Sequence, residues 1–141
     1  MVNESATVEI RGVPVQLLGL RWGARDTHPH DAASRGDQAI EGSMRELLLQ
    51  RQSGAFPILL AHHPHAFDYA DDIPLTLAGH THGGQLMVTP EIGFGPMLYR
   101  YWSGLYRKSD QALVVSNGTG NWFPLRTRAP AEIIHLTLRR G

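Results

Sequence analysis

Residues 75–86 read LTLAGHTHGGQL and residues 58–64 read ILLAHHP. In each, a short apolar run passes straight into histidine. Such a run, bounded by turn-forming residues, is the pattern of a strand buried on both faces of a sheet. Two such strands ending in histidine place imidazoles at strand carboxyl ends, where open α/β sheets bind their ligands. Five of the eight histidines lie between His62 and His82, and the chain has no cysteine. Any metal site must therefore use nitrogen and oxygen donors, and redox chemistry says nothing about compartment.

Working outward, residues 6–20 (ATVEIRGVPVQLLGL) alternate on either side of Gly12 and predict a hairpin. Residues 21–36 are rich in Gly, Asp, His and Pro and predict a loop. Ile40, Met44, Leu47 and Leu48 then fall on one helical face, with Asp37 as the expected cap and an end near Gly54. Beyond Gln85, YWSGLY and QALVVS flank a polar turn at Lys108–Asp110 and predict a second hairpin. A last strand is expected over Ile133–Arg139, with Ile134, Leu136 and Leu138 on one face.

The 141 residues are one domain's worth of chain, enough to bury roughly 68–70% of the surface an unfolded chain exposes. Thirteen basic residues balance thirteen acidic ones. No Lys/Arg run marks a nucleic-acid or anionic-membrane footprint. The apolar runs are far short of the ~20 residues that span a bilayer, and no targeting segment is evident. The expectation is a single untargeted, soluble domain.

On an extended backbone His80 and His82, at i and i+2, face the same side, and Gly79, Gly83 and Gly84 free the main chain around them. A His-x-His in a loop is often no more than polar surface. Here His62, at the margin of a buried core on a second strand end, raises the alternative of a three-histidine metal site. For His28, His30 and His135 the ordinary surface reading is preferred.

ILLAHHP followed by LTLAGHTHGGQL resembles the last two metal motifs of calcineurin-like metallophosphoesterases, in particular the bacterial phosphodiesterase-like branch whose motif reads GHTHGGQ. The tail YWSGLYRKSDQALVVSNGTGNWFPLRTRAPAEI is similar to the end of that branch, so the resemblance runs through nearly the whole chain from Asn3. It implies an α/β fold, the C-terminal half of a four-layer α/β/β/α sandwich, with residues 1–141 forming one partial domain. It also implies that His62 and His80 bind the second metal of a dinuclear centre and His82 the first. His63 and His65 match positions where the family varies and are taken as surface or substrate-side neighbours.

The family's N-terminal half supplies an Asp-x-His, a Gly-Asp whose carboxylate bridges both metals, and a Gly-Asn-His with the acid/base histidine. Asp26-Thr27-His28 has the letters of the first but lies in a loop. Gly36-Asp37 follows too soon for a parallel crossover, and Gly120-Asn121 is followed by Trp122. All three are rejected, so the bridging Asp and the acid/base His are missing and no catalytic residue is assigned.

The implied function is metal-dependent phosphoester hydrolysis by two divalent ions (Mn, Fe or Zn) in the complete domain, with weak or single-metal binding by this chain, which should be inactive alone. The alternatives are a non-catalytic metal-binding fragment and a structural remnant that needs a partner chain. Arg126 is a candidate for binding phosphate oxygens, against the commoner solvated-surface role. The expected partners are a small phosphoester, lipid- or nucleotide-linked forms included, and an N-terminal half-domain. The parent protein is expected in the cytoplasm or peripherally on a membrane.

Overall fold

Alternation in the first twenty residues is broken at Arg11-Gly12, and these two residues make the turn. In the computed structural model, which describes residues 3–21 and 32–139, β1 (Glu4–Ile10) and β2 (Val13–Gly19) are antiparallel with Ile10 opposite Val13. Arg11 and Gly12 have φ of 52° and 74°, the positive values that match the twist of a two-residue hairpin. Asp26, His28 and His30 lie outside the described residues.

Helix α1 (Ala32–Leu48) turns Met44 and Leu47 fully into the core. It begins ahead of the cap expected at Asp37, which lies inside it, because the preceding alanines favour helix strongly enough to extend it back across Gly36. It also closes earlier than Gly54. The Gln50 and Arg51 amides donate to the Leu47 and Leu48 carbonyls and finish the last turn.

The apolar runs become β3 (Phe56–Leu60) and β4 (Leu75–Ala78), and the second hairpin becomes β5 (Gly104–Lys108) and β6 (Gln111–Val115). Together they make one six-stranded sheet in the order β1-β2-β3-β4-β6-β5. β2, β3, β4 and β6 are mutually parallel, and the edge strands β1 and β5 are antiparallel to their neighbours. The architecture is α/β, as expected of part of a metallophosphoesterase-like domain.

The two faces of the sheet are covered unequally. On one, Leu18, Leu59 and Leu113 are 0% exposed beneath α1 and the 3-10 turn Pro64–Tyr69, whose Phe67 completes the core. On the other, Val15, Ile58, Leu75 and Val114 remain 7–8% exposed, ringed by half-buried apolar neighbours. Among the described residues, Ile134 is the member of that cluster that comes from outside the sheet. The strand expected over Ile133–Arg139 does not form; residues 131–139 carry no regular structure and Ile133 is 89% exposed. Alternation specifies a strand only where a neighbouring edge supplies backbone partners, and this segment instead leans one side chain onto a sheet face.

Candidate metal centre

Parallel neighbours deliver the two histidine segments side by side. The Ala61 amide donates to Leu77 O at 2.9 Å, and beyond the ends of β3 and β4 the Gly79 amide donates to His62 O at 3.3 Å. His62 Nε2 then faces His80 Nδ1 at 2.9 Å, with ring centroids 4.8 Å apart. One N–H between them satisfies the two facing nitrogens. The separation is also that of two imidazole nitrogens bound cis to one ion, since M–N bonds of about 2.0–2.1 Å at a right angle leave the nitrogens about 2.9 Å apart.

The segment that follows is not extended. His80 and His82 have φ of 72° and 51°, Gly83, Gly84 and Gln85 are positive as well, and Thr81 between the histidines is right-handed helical at φ −74°. The expectation that i and i+2 share a side by strand geometry is thus corrected. Thr81, fully buried, donates its hydroxyl to Trp102 O at 2.6 Å, and this pin fixes the turn between the two histidines. Left-handed non-glycine residues cost of order 1–2 kcal/mol each and collect where a site demands a particular backbone path.

His82 Nδ1 lies 2.7 Å from Gly120 O and 3.2 Å from Arg126 Nη2; the carbonyl, at the shorter distance, calls for a proton on Nδ1 and leaves Nε2 with its lone pair. Metal-binding histidines are oriented in this manner by a carbonyl behind the ring. Arg126 binds the same loop together. Its guanidinium donates to the carbonyls of His82 (3.3 Å), Ala129 (2.9 Å) and Asn117 (3.1 Å), to Gly120 O and, through Nε, to Asn121 Oδ1. Nε and both terminal nitrogens have acceptors on the protein itself.

Gln85, to which sequence reading assigned no role, is 0% exposed. Its Nε2 donates to Phe123 O (2.8 Å) and Leu125 O (2.9 Å), and its Oε1 accepts from the Trp122 amide (2.9 Å). The last letter of GHTHGGQ therefore ties the histidine loop to residues 122–125. A buried glutamine must find such partners, but they lie some forty residues away and leave no local signal. Gly84, at φ +76°, packs so closely that a Cβ there would be 2.2 Å from Gly95 N of helix α2 (Phe94–Leu98). Gly79 has no such demand, with Ser116 O at 3.8 Å as the nearest atom to an added Cβ; the expectation that it frees the backbone is corrected.

The other motif histidines close around the pair. His63 and His65 bring their Nδ1 atoms to 2.7 Å, and the His63 ring lies 4.7 Å from that of His80. Burial, then the neighbouring His65, His80 and His62, push His63 down to about 3, and burial with His62, His82 and His65 pushes His80 down to about 4. His62 is lowered too, by burial and then His82. Neutral imidazole is the form that binds metal. His135, on the C-terminal segment, is exposed, in keeping with a surface role.

Among the described residues, no group of three or more His, Asp or Glu side chains is arranged to hold a metal ion. The histidines are gathered as a facing pair, His62 and His80, with His82 held separately from behind. The donor chemistry fits a divalent transition metal in kind, as part of a ligand set. Of the rejected look-alikes, Gly36-Asp37 lies within α1, and Asn121 is engaged by Arg126.

The chain is 40% identical over 90 residues to a zebrafish (Danio rerio) transmembrane protein with metallophosphoesterase domain, covering 60% of this chain and 20% of that one. It is 34% identical over 133 residues to the metallophosphoesterase YkuE of Bacillus subtilis, covering 88% and 44%. With the phosphodiesterase YaeI of Escherichia coli it shares 37% identity over 86 residues, covering 57% and 32%. The chain thus spans less than half the length of these curated relatives. No family model and no solved structure matches it. No helix among the described residues is long and apolar enough to cross a membrane.

Proposed function

Because the chain belongs to the metallophosphoesterase family, we propose that it contributes the C-terminal metal motifs of a dinuclear phosphoester hydrolase. The observation that carries this reading is the His62–His80 pair at 2.9 Å, beside a His82 whose Nδ1 is committed to Gly120 O. His62 and His80 would hold one divalent ion and His82 the other. When bound, such ions polarise the phosphoryl oxygens and lower the pKa of water to supply hydroxide. The three histidines themselves hold metal and move no proton. Arg126 keeps the Gly120 carbonyl against His82; a direct contact with phosphate would require it to release one of its backbone acceptors.

The bridging carboxylate and the acid/base histidine are assigned to an N-terminal half-domain. The thinly covered sheet face supports a partner of that kind, since apolar side chains on four strands there meet only Ile134 from outside the sheet among the described residues. The substrate class proposed is a small phosphoester, with lipid- and nucleotide-linked forms included. A cytoplasmic or membrane-peripheral setting is proposed for the whole protein.

Hydrolysis of bis-p-nitrophenyl phosphate with Mn²⁺ tests the reading. The 141-residue chain alone is expected to be nearly inert, and an added N-terminal half to restore turnover that His82→Ala abolishes. Turnover by the isolated chain at roughly 1 s⁻¹ or more, a rate typical of enzymes, would overturn the incomplete-site reading. Calorimetry with Zn²⁺ or Mn²⁺ should show weak binding that falls in His80→Ala. Identical titrations of wild type and variant would remove the histidines as ligands.

A further inference from the structure

Two of the rings beside the histidines, Trp122 and Tyr99, are not core residues. Trp122 lies 5.3 Å from the His82 ring and 6.4 Å from that of His80, while Tyr99 lies 6.0 Å from His80 and 6.1 Å from His63. Neither belongs to either apolar cluster of the fold. Trp122 keeps 41% of its surface exposed. What sets this exposed ring apart is its contact with two of the motif histidines, which offers a ligand an aromatic surface beside polar groups.

Both rings are held by the GHTHGGQ segment itself. The Trp122 amide is anchored on buried Gln85, whose side chain also grips the carbonyls of Phe123 and Leu125. Tyr99 directly follows α2, and α2 rests through Gly95 on Gly84. Each ring thus takes its position from the loop that carries His80 and His82. A wall fixed in this way loses little conformational entropy when a ligand packs on it.

We propose that Trp122, with Tyr99 beside it, determines specificity at this site by receiving a flat aromatic group bonded next to the phosphate of the ester. The inference rests on the function proposed above and names its substrate class: aryl or heteroaryl phosphoesters. The Tyr99 and Trp122 centroids are 6.2 Å apart with the rings tilted by 47°. A ring stacked between them would need about 7 Å, twice the ~3.5 Å contact distance. That leaves no room for a ligand ring between them, so the ligand ring lies against the exposed surface of Trp122, with Tyr99 as the indole's neighbour.

The test is calorimetry of the whole chain, with Zn²⁺ present, using phenylphosphonate, cyclohexylphosphonate and methylphosphonate as probes. Phenylphosphonate is expected to bind about tenfold tighter than cyclohexylphosphonate, an aromatic contact of about 1.4 kcal/mol beyond the apolar area buried, with methylphosphonate the weakest of the three. Trp122→Leu should erase the phenyl advantage and leave methylphosphonate and Zn²⁺ affinities unchanged, Trp122→Phe should keep most of it, and Tyr99→Leu should reduce it. Intact Zn²⁺ binding with equal affinity for phenyl and methyl probes overturns this inference alone. So does a phenyl preference that survives Trp122→Leu, or cyclohexylphosphonate binding as tightly as phenylphosphonate. A chain that takes up no Zn²⁺ overturns the proposed function and this inference with it.

Discussion

Replacing Gly84 by alanine asks two things of the histidine loop at once. The residue is at φ +76°, where an L side chain costs roughly 1–2 kcal/mol. Its new methyl would stand 2.2 Å from Gly95 N and 2.3 Å from Gly95 Cα. Those are backbone atoms, so no rotamer change relieves the overlap; α2 must move, and forced overpacking costs about 1–3 kcal/mol. The expected loss is about 2–5 kcal/mol. At a urea m-value of about 1.5 kcal/mol/M this is a fall of roughly 1.3–3.3 M in the denaturation midpoint. Gly79→Ala is the internal control, because its nearest contact is 3.8 Å away and its φ is not left-handed; it should stay within about 0.5 kcal/mol of wild type. Urea titrations followed by far-UV circular dichroism compare the two. If Gly84→Ala unfolds at the same midpoint as Gly79→Ala, the close packing of α2 on the histidine loop is not a constraint and the reasoning fails.

Gln85→Leu leaves the Trp122 amide and the Phe123 and Leu125 carbonyls without their buried partner, so a loss of about 2–3 kcal/mol is expected; amide exchange at Trp122 should accelerate, and an unchanged exchange rate would show the anchor to be dispensable. Stability without metal should fall as pH drops from about 6.5 toward 4. His63 and His80 are held to about 3 and about 4 in the folded chain, whereas an unfolded imidazole titrates near ~6.5. Below that value the unfolded state takes protons that the folded state refuses. A urea midpoint that does not move between pH 7 and pH 5 would contradict this. His135→Ala, on the exposed C-terminal segment, should leave both stability and Zn²⁺ affinity unchanged; a lowered affinity would place a fourth histidine at the site.

The central strands were readable because burial on both faces writes itself as an unbroken apolar run, and β3 and β4 lie where ILL and LTLA place them. The histidines were readable from their crowding and from their position after those runs. What sequence could not convey was the path between them. His80 and His82 approach the site through left-handed residues and a buried Thr81, not along an extended strand. Partnership across forty residues was equally silent: Gln85 reads as one more polar residue, and Arg126 as a free cation, until the carbonyls they bind are brought to them. Ile133–Arg139 erred in the opposite direction, because its alternation records which side chains can turn toward an apolar face and not whether a strand stands beside it.

The four parallel strands also shape how this chain reaches its native state. β1 and β2 need only a two-residue turn, and hairpins of that kind form in about 1–10 μs. Val15 must find Phe56, and β4 must wait for β6 to pair Leu75 with Ala112; parallel pairing requires closing long loops before any contact compensates for the lost entropy. During that interval the apolar faces of these strands are open to other molecules. Transiently exposed strands of this composition are where chains associate wrongly, so refolding yield should depend on protein concentration more steeply than the modest size of the chain suggests.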